Sequence, residues 1–113
     1  MSRIKAVSTL VAALALMSSG LPALAEDAAL TIVFKDGTFT PTRLEVPSQD
    51  SVKIILRNEG QMPVEFESLS LRKEKVLGPG VQSFVVLRGP SPGEYNFFDD
   101  FHPDAAKGVI VVK

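Results

Sequence analysis

Two aspartates and the only histidine of the chain lie within four residues of one another, at Asp99, Asp100 and His102. They follow a strand-like aromatic run, residues 95–98. Carboxylate oxygens and a neutral imidazole nitrogen are good ligands for iron, copper and zinc. Successive strand residues face opposite sides, so only one of the two aspartates is expected to point into a shared site, while the other positions the loop or a partner. The alternative is that both belong to a solvated turn. The spacing predicts a metal site at the end of a strand.

A second group of carboxylates lies upstream. Glu65 and Glu67 alternate with Val64 and Phe66, so that both glutamates share one face of a predicted strand. They are either an ordinary exposed stripe of a sheet or further ligands turned towards the aspartates. Glu74 is a weaker candidate ligand, because two lysines flank it and surface ion pairing explains it equally well.

Composition excludes several other kinds of chemistry. The chain has no cysteine, so it contains neither a disulfide nor a thiolate ligand. No Cys- or Ser-based nucleophile and base can be paired, and no phosphate-binding glycine loop is present. Met62 is a candidate soft ligand for copper, but a methionine before a proline in a loop is more often a packing residue.

The first 25 residues have the pattern of an export signal. Arg3 and Lys5 precede an apolar run over residues 9–17, and Ala23-Leu24-Ala25 has the small-x-small pattern of a cleavage site. We therefore predict a signal peptide over residues 1–25 and one mature domain over residues 26–113, located in the periplasm and not inserted in the membrane. An uncleaved anchor is the alternative.

The charge of the mature domain makes nucleic acid an unlikely class of partner. The full chain has 12 Lys and Arg against 13 Asp and Glu, and removing Arg3 and Lys5 leaves 12 − 2 = 10 basic residues against the same 13 acidic ones. The resulting charge of about −3 suits metal cations or basic proteins. No basic cluster is larger than Arg72-Lys73-x-Lys75, so nucleic acid binding is not expected.

Short apolar runs separated by turn signals predict an all-β domain. Strands are expected over residues 30–34, 39–46, 51–58, 64–67, 68–77, 82–87, 94–98 and 108–112. Pro41 implies an edge position or a bend in the second of these. Seven or eight short strands with this spacing are typical of a β-sandwich or barrel.

The C-terminal residues resemble the end of a cupredoxin, with a glycine, a tyrosine, an aromatic pair and ligand positions before the last strand. The resemblance implies a cupredoxin-like Greek-key β-sandwich. It places Asp99 at the position of the ligand cysteine and His102 at that of the second ligand histidine, which favours Asp99 over Asp100 as the site residue. Val64 falls at the first histidine, and the axial methionine has no counterpart. A blue copper site is therefore not expected.

The segments 64–67 and 97–102, together with Glu74, also resemble exported cupredoxin-like proteins associated with bacterial iron permeases. That resemblance implies metal ligands among His102, Asp99, Glu65, Glu67, Asp100 and Glu74. It also implies iron and/or copper, bound in a non-blue site, as the cofactor.

The first functional hypothesis is a periplasmic metal-binding protein of a ferrous-iron uptake system, which binds iron and/or copper and, as a ferroxidase, oxidises Fe²⁺ before delivery. Its partners would be an inner-membrane iron permease and a membrane electron acceptor, with oxygen or bound copper as other routes for the electron. The alternatives are a non-redox metal carrier and a metal-free interaction domain.

Overall fold

The computed structural model describes residues 30–113, so the predicted signal peptide lies outside the described residues. Within residues 30–113 no helix is long and apolar enough to cross a membrane. The described chain is built from strands. Their bounds are β1 (Thr31–Lys35), β2 (Thr38–Thr40), β3 (Arg43–Val46), β4 (Ser51–Asn58), β5 (Val64–Ser68), β6 (Lys73–Leu77), β7 (Gln82–Arg88), β8 (Gly93–Asp99) and β9 (Gly108–Val112).

The strands form two sheets that enclose one core. The first sheet has the order β2-β1-β4-β7 and the second the order β3-β9-β8-β5-β6. The pairs β1–β4 and β3–β9 are parallel, and the other pairs are antiparallel. The predicted all-β sandwich is confirmed, with nine strands in the described residues where seven or eight were expected.

The core follows from alternation along the strands. β4 buries Val52, Ile54 and Leu56 and leaves the residues between them half-buried or exposed, as a period of two requires. Aromatic rings fill the space between the sheets. Phe97 of β8 lies 4.9 Å from Phe39 and 5.5 Å from Phe66 between ring centroids. These rings anchor β8 and β5, the two strands that lead into the candidate site.

Two predicted strands differ from the structure. Residues 39–46 form two strands, β2 and β3, that belong to different sheets. Pro41 lies between them, after a cis peptide bond. The change from one sheet to the other at this point confirms the predicted bend. The segment 68–77 is not one strand, because Ser68 ends β5, residues 69–72 form a turn and β6 begins at Lys73. The buried Ser68 hydroxyl accepts a bond from Leu71 N at 3.4 Å, which stabilises this turn.

Candidate functional site

Three carboxylates converge on the outer face of the second sheet. One ligand atom from each of Glu65, Glu67 and Asp100 lies within 4.8 Å of the others. The two glutamates are half-buried and Asp100 is exposed. Among residues 30–113 this is the one group of three or more potential ligand residues that is so closely spaced. We call these three residues the carboxylate cluster.

Strand pairing explains why these three side chains meet. In β5, Val64 and Phe66 are fully buried, so Glu65 and Glu67 face outwards, as the sequence predicts. β8 runs antiparallel beside β5, with Glu67 opposite Phe98. Just beyond the end of β8, Asp100 N donates to Glu65 O at 2.8 Å. This bond sets Asp100 directly beside Glu65.

The electrostatics of the cluster reflect negative charge without a nearby counter-charge. Partial burial raises the pKa of Glu65, and the charges of Asp100, Glu67 and Glu74 raise it further. Partial burial also raises the pKa of Glu67, followed by the charges of Glu74 and Asp100. Within the described part of the chain, no ion pair to a lysine or arginine involves any of these four residues. The cluster therefore favours a proton or a cation.

Glu74 lies next to the cluster and not inside it. It is exposed and pairs with Glu67 across β5 and β6, so the two carboxylates leave the same face of neighbouring strands. Its charge contributes to the raised pKa values of both glutamates of the cluster. Glu74 thus strengthens the negative field of the cluster.

Asp99 has a different environment from its neighbour Asp100. It is the last residue of β8, and only 1% of it is exposed. Its Oδ1 accepts bonds from Glu65 N at 2.9 Å and Phe101 N at 3.0 Å. Its Oδ2 lies 2.7 Å from His102 Nδ1. The expectation that the two aspartates diverge agrees with this geometry, although it is Asp100, and not Asp99, that joins the glutamates.

His102 lies on the other side of the strand end. Its side chain is 23% exposed and lines an open cavity together with Gly37, Phe101 and Pro103. The imidazole lies so close to the β1–β2 turn that a Cβ added to Gly37 would be 3.7 Å from Cδ2 of His102. His102 and Asp99 thus form a pair separate from the carboxylate cluster, and their predicted role as ligands stays a prediction.

The other positions considered as ligand sites lie in the core or in the loop before β5. Val64, at the position of the first histidine of a cupredoxin, is fully buried in the core. Met62 is 41% exposed, and its carbonyl accepts a bond from Asn58 Nδ2 at 2.8 Å. Asn58 also donates to Leu77 O and accepts from Gly60 N, so it fixes the loop before β5. The sequence analysis missed this buried asparagine, and its position at the end of a regular strand is a weak signal.

Comparison with known proteins agrees with the architecture. Residues 7–112 match the model of the cupredoxin-like domain family. An uncharacterized protein of Rickettsia prowazekii (strain Madrid E) is 38% identical over 81 residues. That match covers 72% of this chain and 65% of the relative, so the chain spans slightly less than two thirds of the relative's length.

Solved structures show the same fold at low sequence identity. A purple cupredoxin from Nitrosopumilus maritimus is 19% identical with a TM-score of 0.60, covering 74% of this chain and 98% of that one. Reduced auracyanin from Roseiflexus castenholzii is 16% identical with a TM-score of 0.57, covering 74% and 97%. A mutant of amicyanin with Cu(I) is 24% identical with a TM-score of 0.56, covering 77% and 84%. With its family model matched over nearly the whole chain, this protein belongs to the cupredoxin-like domain family.

Proposed function

We propose that this protein is a periplasmic metal-binding domain that takes up iron at the carboxylate cluster, as part of a ferrous-iron uptake system. Cupredoxins generally bind metal or transfer electrons, and they are often periplasmic or secreted. The observation that carries the proposal is the convergence of Glu65, Glu67 and Asp100 within 4.8 Å. Two glutamates of β5 and an aspartate just beyond the end of β8, with no ion pair to a lysine or arginine in the described residues, form a group that a bound cation would stabilise.

The donor set favours iron as the substrate or cargo. Carboxylate oxygens are hard ligands that suit iron better than Cu(I), for which thiolate and thioether ligands are preferred. Anionic ligands also stabilise Fe³⁺ more than Fe²⁺, so the cluster lowers the reduction potential of bound iron and favours its oxidation. Each Fe²⁺ that is oxidised releases one electron, which needs an acceptor such as dioxygen or a membrane electron carrier. Without an acceptor, the same site is a non-redox carrier.

The residues do not fit a blue copper centre. The chain has no cysteine, Val64 is buried where a first histidine would lie, and Nδ1 of His102 is engaged by Asp99. A trigonal copper site requires two histidines and a thiolate. Any Cu²⁺ bound by this protein should therefore bind without intense thiolate-to-copper charge-transfer absorption. A strong blue or purple colour in the pure protein would contradict this assignment.

Delivery of the metal requires a partner, for which we propose an inner-membrane iron permease. An exported domain that holds iron on an outer face can pass it directly to a membrane protein that docks on that face.

One observation also favours a metal-free interaction domain. Val76, which pairs with Glu65 across β5 and β6, is 55% exposed, and Leu69 is 71% exposed, so apolar side chains accompany the carboxylates on this surface.

Anaerobic titration of the mature protein with Fe²⁺, followed by calorimetry, tests the proposal. We expect binding of one Fe²⁺ per chain, and binding that is weaker by about ten-fold or more in Glu65→Gln. Admission of air then separates the two metal-handling alternatives. Bound Fe²⁺ that converts to Fe³⁺ faster than free Fe²⁺ indicates an oxidase, and bound Fe²⁺ that persists indicates a carrier. Absence of binding to the wild-type protein would overturn the proposal in favour of the interaction domain.

A further inference from the structure

Asp99 is a buried carboxylate whose oxygens are engaged by three donors. Two of them are the backbone N–H groups of Glu65 and Phe101, and the third is Nδ1 of His102 at 2.7 Å. A buried carboxylate is costly unless donors surround it, and bonds to an ionised group are among the stronger ones in a protein. The side chain is thus stabilised in place by the protein alone.

The contact with Asp99 also determines the tautomer of His102. An ionised carboxylate can only accept hydrogen bonds, so Nδ1 of the imidazole must be the donor. In the neutral ring the proton is then on Nδ1, and Nε2 carries the free lone pair. Among the described residues, Nε2 has no hydrogen-bond partner.

Asp99 acts on the carboxylate cluster through the backbone of Glu65. Glu65 N donates to Asp99 Oδ1, and Glu65 O accepts from Asp100 N at 2.8 Å. The two bonds run in opposite directions between the start of β5 and the end of β8, and both peptide groups of Glu65 are thereby held. The spacing between the side chains of Glu65 and Asp100 depends on this pair of bonds.

We propose that Asp99 is a positioning residue of the carboxylate cluster and not a metal ligand. Its bonds from the backbone N–H groups of Glu65 and Phe101 form a metal-independent clamp, and its other oxygen is paired with His102, at the position where the resemblance to cupredoxins places the ligand cysteine and histidine. The clamp holds Glu65 and Asp100 at the spacing that a cation requires. The role of the clamp in cation binding rests on the function proposed above, whereas the presence of the clamp in the metal-free protein does not.

The variant Asp99→Asn separates the positioning role from a ligand role. Its Oδ1 can still accept both backbone N–H groups, which places Nδ2 opposite Nδ1 of His102. Because Nδ2 can only donate, Nδ1 must accept, and the proton of the neutral imidazole moves to Nε2. The clamp on Glu65 is retained while the carboxylate charge is lost. Asp99→Ala removes the clamp altogether. If the alanine variant does not fold, Asp99→Ser is used in its place, because serine can accept one of the two backbone bonds.

Two measurements test the proposal. The ¹⁵N shifts of the single histidine of the metal-free mature protein, at a pH where the ring is neutral, report the tautomer directly. We expect a protonated Nδ1 in the wild type and in Asp104→Asn, the matched control, and a protonated Nε2 in Asp99→Asn. Anaerobic Fe²⁺ calorimetry should then give wild-type affinity for Asp99→Asn and a loss of about ten-fold or more for Asp99→Ala.

Each contrary result identifies what fails. A wild-type protein with the proton on Nε2 would overturn the pairing of Asp99 with His102, because Nδ1 would then not donate to an ionised carboxylate. Loss of Fe²⁺ affinity in Asp99→Asn as large as in Asp99→Ala would overturn the positioning role, because it would show that the charge of Asp99 contacts the metal. Absence of Fe²⁺ binding to the wild type would refute the proposed function, while the tautomer would still confirm or overturn the pairing of Asp99 with His102.

Discussion

Asp99 and Asp100 are neighbours in sequence and of the same residue type, yet they lie in opposite environments. Asp99 is buried with its oxygens bonded to two backbone N–H groups and an imidazole. Asp100 is exposed beside two glutamates, and no cation of the described chain pairs with it. One carboxylate has its charge satisfied by the fold, whereas the other belongs to a group whose charges repel.

This difference shows which surface is available for binding. A buried group whose partners are all supplied by the fold contributes stability, and a cation that used it would have to displace existing bonds. Clustered carboxylates without counter-charges destabilise the metal-free protein, and a cation relieves that repulsion.

The largest effect is expected on the stability of Asp99→Ala. The substitution leaves the N–H groups of Glu65 and Phe101 and the ring of His102 without their acceptor, and each unsatisfied buried group costs about 1–3 kcal/mol. We expect a decrease of roughly 3 kcal/mol in the free energy of unfolding, measured by urea denaturation of the metal-free protein. Asp100→Ala, the matched change one residue later, should stay within about 0.5 kcal/mol of the wild type. Equal decreases in the free energy of unfolding of the two variants would contradict the different roles assigned to Asp99 and Asp100.

The next effect concerns cation affinity. Glu65→Gln and Glu67→Gln should each weaken Fe²⁺ binding by about ten-fold or more, since each removes a charged oxygen ligand. Glu94→Gln is the control, because Glu94 is an exposed glutamate of β8 that lies 3.9 Å from Arg43 and away from the cluster. Isothermal calorimetry under anaerobic conditions measures all three. If Glu94→Gln weakens binding as much as the other two, a diffuse negative surface and not a site attracts the cation.

A smaller effect is expected on the pH dependence of stability. The pKa of Glu65 is raised in the folded protein, so its protonated form is favoured by folding, and stability is lost as pH rises through that pKa. Glu65→Gln removes this loss. The metal-free variant should therefore be more stable than the wild type at pH 7, with a difference that vanishes below the ordinary pKa of a glutamate. Urea denaturation across the acidic range measures this, and a variant less stable at neutral pH would contradict the account.

The smallest effect is expected for Glu74→Gln. Glu74 lies opposite Glu67 but outside the cluster, so it acts on a bound cation through the field and not as a ligand. We expect a loss of Fe²⁺ affinity of about two- to five-fold. This loss should shrink at high salt, because the interaction between exposed charges is screened. A ten-fold loss that persists in high salt would make Glu74 a ligand.

Much of the fold could be predicted from local pattern. β4 and β9 have the predicted bounds, because alternating or continuous β-branched and aliphatic residues leave little choice of structure. The division of residues 39–46 between two sheets depends on long-range pairing, which no local pattern contains. The turn before β6 likewise depends on Ser68, whose hydroxyl donates to Asn96 O of a distant strand.

The site was predictable in its residue types and less so in its grouping. The shared face of Glu65 and Glu67 followed from a period of two, which depends only on the strand itself. The choice between Asp99 and Asp100 depended on which face of β8 is buried. Phe97 and Phe98 are both aromatic, so their polarity does not distinguish the two faces of β8, and the resemblance to cupredoxins favoured Asp99. Packing of Phe97 in the core determines that Asp99 follows it inwards and Asp100 faces out.

The most direct test compares Fe²⁺ binding by Asp100→Asn and His102→Ala. Both residues lie in the loop at the end of β8. Asp100 belongs to the carboxylate cluster, whereas His102 is paired with the buried Asp99. Anaerobic calorimetry of the two folded, metal-free variants should show a loss of about ten-fold or more for Asp100→Asn and wild-type affinity for His102→Ala. If His102→Ala loses the affinity and Asp100→Asn retains it, the cation binds at the Asp99–His102 pair, and the carboxylate cluster is not the site.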